Sequence, residues 1–179
     1  MKMVFKKEAL SLKGVYKIHL ENFSDERGVI VNLFDVEQLP NFKVEKLSKS
    51  KKNVLRGMHG DSINDKLIYC LKGKMHLVVV NYDAKSDQFL EKIEIDINED
   101  SNFAVFVPRN FLNGHYCLTD DCLFYYKWSE SYVEPEKQFS VRWNDEQLKI
   151  DWPLLESEPV ISERDRDSKT LREKKTLKF

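Results

Sequence analysis

Residues 67–80 read Leu-Ile-Tyr-Cys-Leu-Lys-Gly-Lys-Met-His-Leu-Val-Val-Val, two apolar runs joined at Lys72-Gly73. β-branched and aromatic residues on both sides of a glycine predict two strands, and so short a linker predicts that they pair as a hairpin. Outward from this stretch the pattern recurs. It appears at 14–20 (GVYKIHL), 28–34 (GVIVNLF), 53–58 (NVLRGM), 91–97 (EKIEIDI), 103–107 (FAVFV), 112–118 (LNGHYCL), 122–128 (CLFYYKW) and 139–143 (FSVRW). Turn formers such as Asp25, Asn81, Asp83 and Asn110 stand between the runs. About nine or ten strands at this spacing predict an all-β sandwich or barrel. Helical pattern is confined to 35–39 and a piece near 163–174, which makes any helices short and peripheral.

A chain of 179 residues suits one domain with a sizeable core, read here as 1–179 with a highly charged tail from about 166. Hydrophobic residues make up 41%, charged residues 33% and aromatics 12%, a balance that fits a β-rich core or an aromatic-lined pocket. The net charge of -1 gives no basic excess for nucleic acid or an anionic membrane. Lys49, Lys51, Lys52 and Arg56 cluster, as a solvated edge or as a local anion site. Cys70, Cys117 and Cys122 form no CxxC pair and read as free thiols of a cytoplasmic protein. The N-terminus, M-K-M-V-F-K-K-E, lacks the apolar centre of a signal peptide, and no apolar run approaches the ~18 residues of a membrane span.

Glycines are too few and scattered for GxGxxG or a P-loop, and there is no G-x-S-x-G elbow. A jelly-roll metal centre ordinarily brings two close histidines, a carboxylate and a later histidine. Here His59 is followed by Gly60-Asp61, and His19, His76 and His115 are scattered, so no metal is expected. Acid–base chemistry remains. His59 ends one strand, Lys66 begins the next, and Tyr126 lies within L-F-Y-Y-K-W. In a barrel such residues converge on one cavity, where an imidazole, a phenol and an ammonium can remove a proton, supply one and stabilise an oxyanion. Taken singly, each has a plainer reading: a hydrogen-bonded structural histidine, a packed tyrosine, a solvated lysine. Composition and spacing leave both open.

Longer segments carry a resemblance. Ser24-Asp25-Glu26-Arg27-Gly28 is similar to a D-E-R-G segment, and Ser48 to His59 to S-K-x-x-x-V-L-R-G-x-H. Lys66-Leu67 matches K-L, and Val107-Pro108 the strand before G-F-A-H-G-F. Phe124–Lys127 matches F-L-Y-K, Arg142–Asp145 R-W-N-D, Ile150–Pro153 I-x-W-P, and Ile161–Asp165 a late L-S-x-x-D. This ordered series, from about 24 to 165, resembles the dTDP-4-dehydrorhamnose 3,5-epimerase family.

The resemblance implies a cupin-type double-stranded β-helix (a jelly roll), a homodimer that exchanges N-terminal strands, and no cofactor or metal. It implies a nucleotide-diphospho-4-keto-sugar as substrate, whose 4-keto group acidifies the C–H bonds at C3 and C5. His59 then corresponds to the base, Asp165 to its orienting carboxylate, Tyr126 to the proton donor on the opposite ring face, and Lys66 to the group that meets the charge on O4. Arg27 and Arg56 correspond to diphosphate ligands, with Asn32, Asn113, His115 and Tyr132 as further substrate contacts. A 4-keto-sugar isomerase and a non-catalytic sugar-nucleotide binding module are the rival readings.

Three departures stand out. G-F-A-H-G-F is replaced by Asn110-Phe111-Leu112-Asn113-Gly114-His115, which puts Asn113 in the histidine's place and His115 two residues on. V-F-D-V is replaced by Met75-His76-Leu77-Val78, so an inward carboxylate has become Leu77. The two changes are expected to be linked, because a carboxylate without its histidine would be an unpaired buried charge. Finally R-G-x-F-x-E reads Arg27-Gly28-Val29-Ile30-Val31-Asn32. That change at the base-binding strand makes guanine an alternative to thymine, as in relatives that act on GDP-linked 4-keto-heptoses for capsules.

Overall fold

A computed structural model describes residues 5–35, 37, 39, 41–131, 133–155 and 158–176. In chain order its strands are β1 (Lys6–Ala9), β2 (Tyr16–His19), β3 (Glu21–Asp25), β4 (Gly28–Asn32), β5 (Val44–Ser50), β6 (Leu55–Asp61) and β7 (Lys66–Lys72). Then follow β8 (Lys74–Asn81), β9 (Lys92–Asn98), β10 (Phe103–Val107), β11 (Phe111–Cys117), β12 (Cys122–Trp128) and β13 (Gln138–Ser140). The helices α1 (Glu163–Arg166) and α2 (Leu171–Thr176) are short, as expected of that region. Of the helix expected at 35–39 only residues 35, 37 and 39 are described, and none is helical.

Six strands pair in the order β1-β2-β10-β7-β12-β5, and five in the order β13-β6-β11-β8-β9. The two sheets face each other across one core, in which Ile68, Val105, Val107 and Phe124 of the first meet Met75, Leu77, Val79 and Phe111 of the second. From β5 to β12 the chain passes repeatedly from one sheet to the other. This is the jelly roll of the cupin type.

The hairpin expected at Lys72-Gly73 does not form. β7 pairs with β10 and β12 in one sheet, and β8 with β11 and β9 in the other. Gly73, at φ +77°, turns the chain between sheets, where a Cβ would lie 2.4 Å from Thr119 Oγ1. Thr119 Oγ1 in turn accepts from the Lys74 amide at 2.8 Å. A turn flanked by apolar runs is common to a hairpin and to a sheet-to-sheet corner, so local sequence cannot separate them.

Both sheets are also covered outside. Val78, Val80, Leu112 and Tyr116 pack against Leu148, Trp152 and Leu171 of the C-terminal segment. Ile18, Leu67 and Tyr69 pack against Phe5, Phe34, Leu39 and Phe42 near the N-terminus. Burial on both faces explains why β7 and β8 read as near-continuous apolar runs. The sequence pattern passes over β1, β3 and β5. β1 and β5 are edge strands, β1 exposed at all four positions and β5 carrying lysine and glutamate outward.

The charged tail is docked through the described part. Arg142 Nε donates to the Ser168 carbonyl at 2.9 Å, and the buried Asp145 accepts from the Leu171 amide at 2.7 Å. The Trp152 indole donates to the Trp143 carbonyl at 2.9 Å. R-W-N-D and I-x-W-P therefore act structurally, binding the segment that carries Asp165 to the five-stranded sheet.

Candidate active site

Between the two sheets at one end lies a cavity of about 580 Å³. Inner-face residues of β5, β7 and β12 form one wall, and residues of β6, β11 and β13 the other. His59, Lys66, Tyr126, Asp165, Arg56, Asn113 and His115, singled out from the sequence, all line it.

The glycine of R-G-M-H has a packing role. At Gly57 (φ +141°) a Cβ would fall 2.6 Å from the Gly114 Cα, so β6 and β11 approach with no side chain between them. The register shifts at this point: Asn113 stands opposite His59, and His115 opposite Arg56.

Asp165 reaches His59 because chain segments 54–55 and 160 run side by side. Val54 and Val160 form a parallel bridge, and the Leu55 amide donates to the Val160 carbonyl at 3.0 Å. Ser162 then caps α1, its side chain accepting from the Asp165 amide. Asp165 Oδ1 lies 2.8 Å from His59 Nε2, and its Oδ2 accepts from the Gly57 amide at 3.1 Å. Burial pushes the Asp165 carboxyl up, but bonds from His59, Gly57 and Ser162 outweigh it and hold the group below the usual aspartate value. Nδ1 of His59 is buried and has no hydrogen-bond partner.

Lys66, at the start of β7, is buried, and its Nζ donates to Asn113 Oδ1 at 3.0 Å. Asp61 Oδ2 lies 3.7 Å from the same nitrogen. Burial pulls the lysine below its ordinary value, and Asp61 opposes the shift. Tyr126 stands on β12, in the sheet opposite His59, between Phe124 and Trp128. Burial raises its phenol above the ordinary value, with Arg56 pulling the other way.

Arg56 Nε donates to Ser50 Oγ at 3.2 Å, which braces its guanidinium at the cavity wall. His115 stacks on Phe124 at 4.1 Å between ring centroids, and its buried Nε2 has no hydrogen-bond partner. Leu77 pairs with His115 across β8–β11 and faces the core, fully buried.

Two of the expected contacts stand apart from the cavity. Arg27 and Asn32 belong to the β3–β4 ribbon, which pairs with neither large sheet. Arg27 is 82% exposed and its guanidinium bonds Asp25. Tyr132 lies outside the described residues. The sequence reading also missed Asp61, Lys46 and Trp128, all of which line the cavity. The signal for Asp61 was its place two residues after His59, on the same face of one strand. Lys46 Nζ sits 3.4 Å from the centroid of the Trp128 ring, a contact between distant segments that spacing cannot reveal.

Comparison with known proteins points to one family. The family model described as dTDP-4-dehydrorhamnose 3,5-epimerase matches residues 9–173. The chain is 32% identical over 172 residues to the dTDP-4-dehydrorhamnose 3,5-epimerase of Methanothermobacter thermautotrophicus, covering 91% of this chain and 92% of that protein. The crystal structure of the enzyme so described from Elizabethkingia anophelis superposes with a TM-score of 0.87 at 29% identity, over 95% of this chain and 98% of the other. The epimerase from Legionella pneumophila, solved with dTDP-4-keto-L-rhamnose, also gives a TM-score of 0.87, at 28% identity and 94% coverage of each chain. With the fold, the His59–Asp165 pair and these matches together, the chain belongs to the dTDP-4-dehydrorhamnose 3,5-epimerase family of isomerases.

Proposed function

We propose that this protein inverts C3, C5 or both of a nucleotide-diphospho-4-keto-sugar through an enolate, in the synthesis of surface-polysaccharide precursors. The observation that carries the reading is the opposition of His59 and Tyr126. One stands on the five-stranded sheet and the other on the six-stranded sheet, with the cavity between them. A sugar ring held there would meet a base on one face and an acid on the other, which is what inversion at carbon requires.

The His59 imidazole, held through Nε2 by Asp165, takes the proton from C3 or C5, and the C–H electron pair moves into the enolate, leaving negative charge on O4. The Lys66 ammonium meets that charge. Tyr126 O–H then donates its proton to the opposite face of the same carbon, and solvent exchange restores both side chains. Arg56 and Lys46 supply positive charge for the diphosphate. Asn113, which cannot carry a proton at neutral pH, serves as an acceptor for Lys66 and leaves proton abstraction to His59.

The dTDP-linked sugar bound by the Legionella relative is the first substrate candidate. A GDP-linked 4-keto-heptose is the second, supported by Ile30 and Asn32 where the resemblance leads one to expect an aromatic and a carboxylate. Incubation with both kinds of 4-keto-sugar nucleotide in deuterated water, followed by mass and NMR analysis, reads base, sugar and carbon together. Solvent deuterium at C3 or C5 with inverted configuration is the expected result. A migrated carbonyl would replace this reading with an isomerase, and binding without exchange would replace it with a binding module.

The protein is further proposed to act as a cytoplasmic homodimer. Three buried free thiols support a reducing compartment. The β3–β4 ribbon exposes Phe23, Val29 and Ile30 beside Arg27. Such apolar exposure suits a ribbon that packs on a partner and brings Arg27 and Asn32 toward the partner's cavity. A single protomer by sedimentation at micromolar concentration would overturn the dimer.

A further inference from the structure

Lys66 presents a physical problem that the mechanism alone does not solve. Its side chain is 7% exposed, and an ammonium so placed needs a counter-charge or it loses its proton. The inward carboxylate that the resemblance leads one to expect on β8, as partner of the histidine that Asn113 replaces, is Leu77 within the apolar core. Among the described residues, the only carboxylate that pairs with Lys66 comes from β6. We infer that Asp61 is the positioning residue for Lys66, supplying the buried counter-charge that holds its ammonium at the cavity wall.

The geometry of Asp61 suits this role. Its side chain is 4% exposed, and Oδ2 lies 3.7 Å from Lys66 Nζ. Oδ1 accepts from the amides of Ile63 at 3.1 Å and Asn64 at 2.6 Å, so the carboxylate is fixed by the turn that joins β6 to β7. Asp61 therefore both shapes the approach to β7 and charges the site that β7 delivers. Asn113 Oδ1 completes the lysine's shell from β11 without adding charge. Among the described residues, Lys46 on β5 also acts on Lys66 and works against the ammonium. Trp128, opposite Lys66 on β12, carries no charge, while His59 on β6 and Tyr126 on β12 are ionisable side chains that line the same cavity. Through this pair the net charge beside the substrate's keto oxygen is set from β6.

That Lys66 meets the O4 charge rests on the proposed epimerase reading; that Asp61 holds Lys66 does not, and the test separates the two. Asp61→Asn keeps an oxygen for the Ile63 and Asn64 amides and puts an uncharged amino group where Oδ2 faces Lys66. The whole protein, labelled with ¹³C at lysine Cε, is titrated by NMR, with Lys66→Met identifying the resonance. The Lys66 midpoint should fall by at least one pH unit in Asp61→Asn, a tenfold shift in favour of the neutral amine. An unchanged midpoint overturns the inference, whatever the enzyme's activity. If Asp61→Asn folds too poorly to titrate, thermal melts of Asp61→Asn and Asp61→Asn/Lys66→Met decide the matter. The double variant should regain stability because the unpaired charge is gone, and a double variant no more stable than the single one overturns the inference. Deuterium exchange by the native protein reports separately on the epimerase reading.

Discussion

Replacing Asp165 by Asn tests the base more sharply than removing it, because the change is nearly isosteric. The two carboxylate oxygens have different donors: Oδ1 faces His59 Nε2 at 2.8 Å and Oδ2 the Gly57 amide at 3.1 Å. An asparagine has one oxygen and one amino group to meet them. The Gly57 amide can only donate, so the oxygen turns to it and the amino group faces Nε2. Nε2 must then accept, which moves the ring proton to Nδ1, so the imidazole loses the tautomer that Asp165 holds for proton abstraction. The reverse orientation sets two N–H groups against each other in a buried place, at ~1–3 kcal/mol. The carboxylate's attraction for the developing imidazolium is lost as well. At 2.8 Å it amounts to ~6 kcal/mol at an effective dielectric of ~20, and about half survives because the His59 ring is 34% exposed. Together these losses come to ~4–5 kcal/mol, about a 10³-fold fall in rate at ~1.4 kcal/mol per tenfold. The assay is the initial rate of solvent-deuterium incorporation into the 4-keto-sugar, alongside a thermal melt. A rate within tenfold of native would refute the proposed pairing, provided the variant remains folded.

Tyr126→Phe should uncouple exchange from inversion. His59 can still remove a proton and return deuterium to the same face, whereas inverted product, read by NMR coupling constants, should fall by about 100-fold or more. Equal loss of exchange and inversion would assign Tyr126 some other role. Native activity should decline on the alkaline side as Lys66 loses its proton. Burial lowers the Lys66 value and raises that of Tyr126, so the two move in the directions that favour loss of the lysine proton ahead of the phenol's. An alkaline limb unaltered in Lys66→Arg would contradict that assignment. Leu77→Asp should destabilise the protein by ~3–5 kcal/mol, since the new carboxylate would lie among Ile68, Met75 and Phe124. The melting temperature should fall by about 10 °C. Asn113→His in the same chain should recover part of the loss, and an unchanged melting point for Leu77→Asp alone would break the expected link between positions 77 and 113.

Much of the fold and the main reactive set could be read along the chain because their causes are local or carried by motif. Alternation and turn residues marked most strands, and R-G-M-H with the late Ser162-Glu163-Arg164-Asp165 segment marked the base and its carboxylate. Apolar periodicity by itself reports that a strand is buried without reporting which neighbour it pairs with. Lys72-Gly73 therefore read as a hairpin although Gly73 carries the chain between sheets. β1 and β5 escaped notice because edge strands carry charge and lack a continuous apolar run.

By itself the sequence determined an all-β chain whose His59, Lys66, Tyr126 and Asp165 could share one cavity, since residue type and strand position are written along the chain. Tertiary structure alone decided that His59 and Tyr126 stand on opposing sheets, that segment 158–165 lies beside β6, and that Asp61 lies 3.7 Å from Lys66. The physical reason is range. Burial and alternation act over a few residues, whereas an ion pair or an acid facing a base depends on strands far apart in sequence, brought together only when the sheets close on their common core.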